Sequence, residues 1–395
     1  MPRRLLAPTL AILALTLLAV PAGACPFCSM QGQTLTNEIN QASMVLYGTL
    51  DDAKREGGEL GEGSTKLHIE TVIKKHDILA GQKTITLARY IPPREKGEKH
   101  VIFCDVFKGK IDPYRGFAVK AKSNVVSYLE GALKVKDKKI GERLRFFFKY
   151  LDDPELEVSN DALKEFANAD YKDYQGMAKD LPADKIAGWL ENKDTPSYRH
   201  GLYASLLGHC GTAKHAKLLR KLLDDPERRA TTGVDGMLAG YVLLEQKEGW
   251  KYLKVLLNNA KKEFPTRYAA LRAARFFYDQ RPDVVSKKEV IAAVAQLLDQ
   301  GDAADLAIED LRRWKVWELC DKILGLRKLE SHDLPIIKRC ILRYALCCPM
   351  PAAVAYVKAE RKKDAEAVSD AEELLKLDTG TTPNNASPPA KYGEE

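Results

Sequence analysis

A chain of 395 residues that is 45% hydrophobic and 30% charged has the make-up of a folded protein, and it is longer than one domain usually needs. Its formal net charge of +7 is mild, and lysines and glutamates are interspersed, which argues against nucleic acid as a partner.

The chain opens with Met-Pro-Arg3-Arg4, runs through the apolar stretch Leu10 to Val20, and reaches Ala22-Gly23-Ala24. A basic start, an apolar middle and a small-residue site form a secretory signal. Residues 1–24 are therefore expected to be removed, leaving Cys25 first and a net charge of +5. An uncleaved anchor is the alternative, because Leu5 to Ala24 is about 20 residues, just long enough to span a bilayer. Pro8 argues against it. Lipidation of Cys25 is a third outcome, although Ala22 stands where a lipoprotein signal usually has leucine. No later stretch is long and apolar enough to cross a membrane. The expected location is thus periplasmic, cell-envelope or extracellular.

Within an expected first domain of residues 25–122, the pattern from Ala42 to about Lys120 alternates with period two. Met44 to Leu50, Leu67 to Ile73, Thr84 to Ile91 and Val101 to Phe107 are rich in Val, Ile and Thr, the signal of strands. Asp51 to Gly63 is expected to be a loop, and Lys108 to Gly116 a turn cluster. Four or five such strands suggest a small β-barrel.

From Asn124 the period becomes helical. Arg267 to Tyr278 places Ala270, Ala273, Ala274 and Phe277 on one stripe, and Glu289 to Leu298 does the same with Ile291, Val294, Ala295 and Leu298. Each segment is too short to bury its stripe alone, so neighbours must stack. Leu151-Asp-Asp-Pro-Glu155 is echoed by Leu223-Asp-Asp-Pro-Glu227, and Asp-Pro both stops a helix and caps the next. The stretch Leu151 to Leu163 resembles the first helix of a HEAT repeat, which implies an α-helical solenoid over residues 123–377. Residues 378–395, rich in Thr, Pro, Asn and Ser, are expected to be a disordered tail. The expected fold is α+β and multidomain: a small β-barrel followed by a HEAT-like solenoid.

Eight cysteines are present: Cys25, Cys28 and Cys104 early, and Cys210, Cys320, Cys340, Cys347 and Cys348 late. Export permits disulfides. Both groups are odd, so either a bridge joins them or each keeps a free thiol. Cys25-Pro26-Phe27-Cys28 is the sharpest motif. It fits a redox dithiol, half a zinc site or a disulfide anchor. Redox chemistry calls for a helix N-terminus in a βαβ unit, and none follows. Zinc calls for further ligands, and Cys104 supplies one. Haem attachment needs histidine where Ser29 stands. The favoured expectation is a bridge from one of the pair to Cys104, with unpaired thiols as another outcome.

A mature chain starting at cysteine, the strand Ala42-Ser-Met-Val45-Leu-Tyr-Gly48, then Val72-Ile-Lys-Lys and Val101-Ile-Phe-Cys104 is similar to the netrin-like, or tissue-inhibitor-of-metalloproteinases-like, OB barrel. That resemblance implies an OB fold over the first domain. It also implies a protease-zinc-binding role for the Cys25 amine and carbonyl. The family typically opens Cys-x-Cys, whereas this chain has Cys-x-x-Cys.

Other candidates are weaker. His209, Cys210 and His215 form one compact group, expected to be a helix end. Cys340 and Cys347 share a predicted helix about 10 Å apart, too far to bond each other. A Cys320 bridge to Cys340 or Cys347 and inert buried thiols both remain open. Lys134, Lys136, Lys138 and Lys139 make a basic cluster. Arg267, Arg272, Arg275 and Arg281 give one helix a basic side, near Tyr241, Trp250, Tyr252, Tyr268, Phe276 and Tyr278. The concave face of a solenoid is its usual binding surface. Arg267, Arg272, Arg275, Trp250 and Tyr252 are therefore the candidate binding face. No paired carboxylates, Ser-His-Asp set or phosphate loop stands out, and no cofactor is expected. The function expected is a non-enzymatic scaffold that binds a protein or envelope partner. A thiol-redox or metal protein using Cys25 and Cys28, and a metallopeptidase inhibitor using Cys25, are the rivals.

Overall fold

The computed structural model describes residues 25–28, 30–56, 62–120, 122–229 and 232–378. The expected signal, residues 1–24, and the expected tail beyond Asp378 lie outside the described residues. The fold is α+β, with one five-stranded antiparallel sheet followed by many helices.

After the short helix α1 (Leu35–Gln41) come strands β1 (Met44–Arg55), β2 (Gly63–Lys74), β3 (Thr84–Leu87), β4 (Lys99–Phe107) and β5 (Lys110–Val119). They lie in the order β3-β2-β1-β4-β5. β3 pairs only with β2, and β5 only with β4, so the sheet is open. The expected closed barrel is corrected on this point: β3 has four residues and no ladder to β5. Two further expectations change. Asp51 to Arg55 extends β1, and most of Lys108 to Gly116 is strand. Only Lys108 and Gly109 turn, at φ 49° and 74°, the two positive φ angles of a tight hairpin turn. Pro113 is tolerated within β5 because β5 is an edge strand.

Alternation sorts the sheet's two faces. Met44, Leu46, Leu50, Leu67, Ile85, Leu87, Ile102 and Cys104 form a separate core on one face, closed by Leu79. Val45, Ile73, Val101, Phe103 and Val119 point the other way, into the main core shared with the helices.

The helical part runs α2 (Val125–Val135), α3 (Ile140–Phe148), α4 (Leu156–Ala167), α5 (Tyr171–Ala178), α6 (Ala183–Glu191), α7 (Ser197–Cys210), α8 (Ala213–Asp224) and α9 (Pro226–Arg229). It continues with α10 (Val234–Leu244), α11 (Gln246–Asn258), α12 (Phe264–Gln280), α13 (Lys287–Val294), a 3₁₀ turn (Ala295–Asp299) and α14 (Ala304–Arg313). The last are α15 (Cys320–Gly325), α16 (Pro335–Cys347), α17 (Pro351–Lys363) and α18 (Ala365–Asp378). The first Asp-Pro echo lies between α3 and α4, and in the second Asp225 separates α8 from α9, with Pro226 as the first residue of α9.

α10 is the hub, touching α7, α8, α11 and α12. It is buried from Val234 to Val242 without a break, and α7 is buried from Arg199 to Gly208. Neither shows a one-sided stripe, because each has neighbours on every side. Their backbones meet through glycine. A Cβ on Gly236 would lie 2.3 Å from the Gly201 carbonyl oxygen, and one on Gly240 2.3 Å from that of Ala204.

Candidate functional site

The Cys25-Pro-Phe-Cys28 motif lies inside the helical array. Cys25, Phe27 and Cys28 are all buried in the core that holds the helices. Cys25 and Cys28 form a disulfide with Cα atoms 5.5 Å apart. The Cys25 backbone N–H donates to the Ala167 carbonyl at the end of α4 (3.2 Å). Phe27 meets Phe276 of α12 edge-on, with centroids 4.8 Å apart. Arg272 Nη2 donates to the Pro26 carbonyl (3.2 Å). Gly201 of α7 leaves room for the Phe27 carbonyl, since a Cβ there would sit 2.5 Å from that oxygen.

From this socket the chain is led back towards the sheet. The Asn168 side chain brackets Gly32, accepting from its N–H (3.1 Å) and donating to its carbonyl (2.8 Å). Buried Asp161 of α4 then caps α1, accepting from the backbone N–H groups of Leu35 and Thr36 and from the Thr36 hydroxyl. The Tyr128 hydroxyl of α2 donates to the same carboxylate (2.8 Å). Burial raises the Asp161 pKa against the pull of these donors.

This geometry corrects the expected bridge to Cys104. Cys104 is a free thiol in the opposite core of the sheet, and burial pushes its pKa to about 12. The early cysteines therefore pair locally and leave one inert thiol. A lipid on Cys25 would need the sulfur that the disulfide holds. Residues 25–28 lie in the core that the helices share with one face of the sheet.

The candidate binding face is corrected as well. Arg267 is 4% exposed, and its guanidinium reaches the Lys262 carbonyl, Gln300 and Asp302. Arg275 Nε donates to Asp310 (2.7 Å). Arg272 Nε lies 3.0 Å from Asp235 Oδ2, within ion-pair reach but out of line for a hydrogen bond. Trp250 is buried against Phe277. The Tyr252 hydroxyl donates to Asp224 (3.1 Å), and Arg220 covers its ring. These side chains tie neighbouring helices together. The bonds from Arg267 to Asp302, Arg275 to Asp310 and Arg343 to Asp378 each join residues 35 apart in the chain.

The histidine group does not converge. His209 Nε2 is 3.0 Å from the Tyr171 hydroxyl, which also accepts from Arg281 Nη1 (3.3 Å). Tyr171 therefore donates to a neutral His209. Burial, with Arg281 and Lys179 nearby, lowers its pKa to about 4. His215 instead caps α8 and reaches Asp184. Among the described residues, no three His, Cys, Asp or Glu side chains form a group that would hold a metal ion. Of the late cysteines, Cys320 neighbours Cys348, neither of the two partners considered from spacing. Cys340 is a buried free thiol and Cys347 an exposed one.

Among the described residues, a shallow concavity of about 690 Å³ lies between α11 and the 3₁₀ turn. It is lined by Lys251, Lys254, Val255, Asn258 to Lys261, and Gln296. Sequence reasoning missed it, although Lys251, Lys254 and Asn258 recur at helical spacing opposite Trp250, Leu253 and Leu257, which are buried.

No protein family matches the chain, and no curated protein or solved structure matches it either.

Proposed function

We propose that the chain works outside the cytoplasm as a non-enzymatic scaffold that recognises a protein or envelope partner through its helical array. The observation that carries this reading is the burial of the Cys25–Cys28 disulfide among α4, α7 and α12. A thiol-redox role needs a sulfur that substrates reach, and here the motif is spent on holding the N-terminal segment in place. A metallopeptidase inhibitor needs the Cys25 amine and carbonyl free. In this fold the nitrogen bonds Ala167 and the carbonyl accepts from the Cys28 N–H (3.4 Å). A structural disulfide favours an oxidising compartment, in keeping with the signal pattern of residues 1–24. The succession of short helices packed on their neighbours supports a HEAT-like solenoid.

The test is site-specific photo-crosslinking in the native host. The crosslinker is placed at exposed Val255 and Val354 on the array and at exposed Phe107 on the β4–β5 hairpin. A discrete adduct from the array positions is the expected result. Adducts from Phe107 alone, or turnover of a disulfide substrate by the purified chain, would remove this reading.

A further inference from the structure

We infer that the concavity between α11 and the 3₁₀ turn is a docking site for an extended acidic peptide segment, which gives a chemistry to the partner of the scaffold reading on which it rests. Lys251, Lys254 and Lys261 bring three cations to one shallow hollow, and no carboxylate lines it. Lys251 has Glu248 at 4.0 Å, while Lys254 and Lys261 have no carboxylate within ion-pair distance among the described residues. Elsewhere the array neutralises its arginines with aspartates, as at Arg267, Arg275 and Arg343. An uncompensated group of lysines in a hollow is complementary to an anionic partner.

The rest of the lining selects among anions. A peptide backbone supplies an N–H donor and a C=O acceptor at each residue, which a carboxylate alone does not. Asn259 and Gln296 add amides that pair with peptide N–H and C=O groups. Val255, 55% exposed on the same wall, offers an apolar contact for a peptide side chain. The lining has no aromatic ring on which a sugar would stack. An extended peptide with glutamates or aspartates on either side of an aliphatic residue satisfies the lysines, the amides and the valine together.

The experiment titrates the full chain with a fluorescent, end-blocked peptide of glutamates flanking a central leucine. The counterpart with glutamine for glutamate and the anionic polysaccharide dextran sulfate are run beside it. Saturable binding of the acidic peptide alone is expected. Lys254→Glu should weaken it at least tenfold, with an unchanged thermal midpoint. Rising salt should weaken binding to the parent chain more than to Lys254→Glu. The inference is overturned if the glutamine peptide binds equally, if Lys254→Glu binds like the parent, or if dextran sulfate binds there and the peptide does not. If the peptide fails while Val255 still crosslinks a discrete partner, this inference falls and the scaffold reading stands.

Discussion

Phe27 and Phe276 meet edge to face with ring centroids 4.8 Å apart, joining the start of the described chain to the middle of α12. Around that contact the Cys25–Cys28 disulfide, the Arg272 bond to Pro26 and the Gly201 hollow form one socket. Phe27→Ala should cost about 3–5 kcal/mol, the usual loss for a buried phenylalanine. Replacing both cysteines by serine should cost about 2 kcal/mol, because the closed loop is short. Urea unfolding of the oxidised chain measures both. A Phe27→Ala midpoint equal to that of the parent would show that the segment is not held in the socket.

Thiol reactivity should follow burial. Cys347 is exposed, Cys210 half-buried, and Cys104, Cys320, Cys340 and Cys348 are buried. Burial holds the Cys210 thiol up at about 11 and Cys104 at about 12. Native protein treated with a thiol reagent without reductant should label Cys347 first and Cys210 slowly. The other four should label only on unfolding. Peptide mapping that finds Cys25 or Cys28 alkylated in native protein would contradict the disulfide.

Arg272 and Asp235 should behave as a coupled pair. Asp235 is fully buried, and burial raises its pKa while Arg272 opposes that rise. Arg272→Met leaves the carboxylate buried without its cation and should cost about 3–5 kcal/mol. Adding Asp235→Leu to that variant should recover much of the loss. Additive effects in the double-mutant cycle would mean that the two side chains do not interact.

His209 should make stability depend on pH. Its pKa is about 4 in the folded chain, against an ordinary value of 6.5. Between these values the unfolded chain binds a proton that the folded chain does not. Stability from this group is therefore complete above pH 6.5 and falls as the pH drops towards 4, by on the order of 3 kcal/mol. His200, held at about 4 by burial and Arg228, acts in the same direction. His209→Gln should flatten the dependence of the urea midpoint between pH 4 and 6.5. An unchanged slope would assign the dependence elsewhere.

The parts legible in the sequence were those with local causes. β1 to β4 were visible because their buried side chains alternate along each strand, and α12 because it carries a stripe. β5 was hidden by Gly109, Pro113 and Gly116, which resemble turn residues unless the strand is known to lie at an edge. α1 was missed because it is short: Thr34 caps it locally, but Asp161, 126 residues from Leu35, holds its remaining first-turn N–H groups. The arginine face failed for a related reason. Periodicity places Arg267, Arg272 and Arg275 on a helix, but their acidic partners lie on other helices, some 35 residues away. The open seam between β3 and β5 is likewise a property of pairing between distant strands.

The socket also imposes a timetable. The N-terminal residues come first in the chain, and the three-residue separation of Cys25 and Cys28 lets their bond close without the rest of the fold. The walls that receive them, Gly201 on α7 and Phe276 on α12, are made much later. The earliest part of the described chain is thus among the last to settle. Phe27 gains its wall only when α12 is in place, so the burial of the N-terminal segment is a long-range closure.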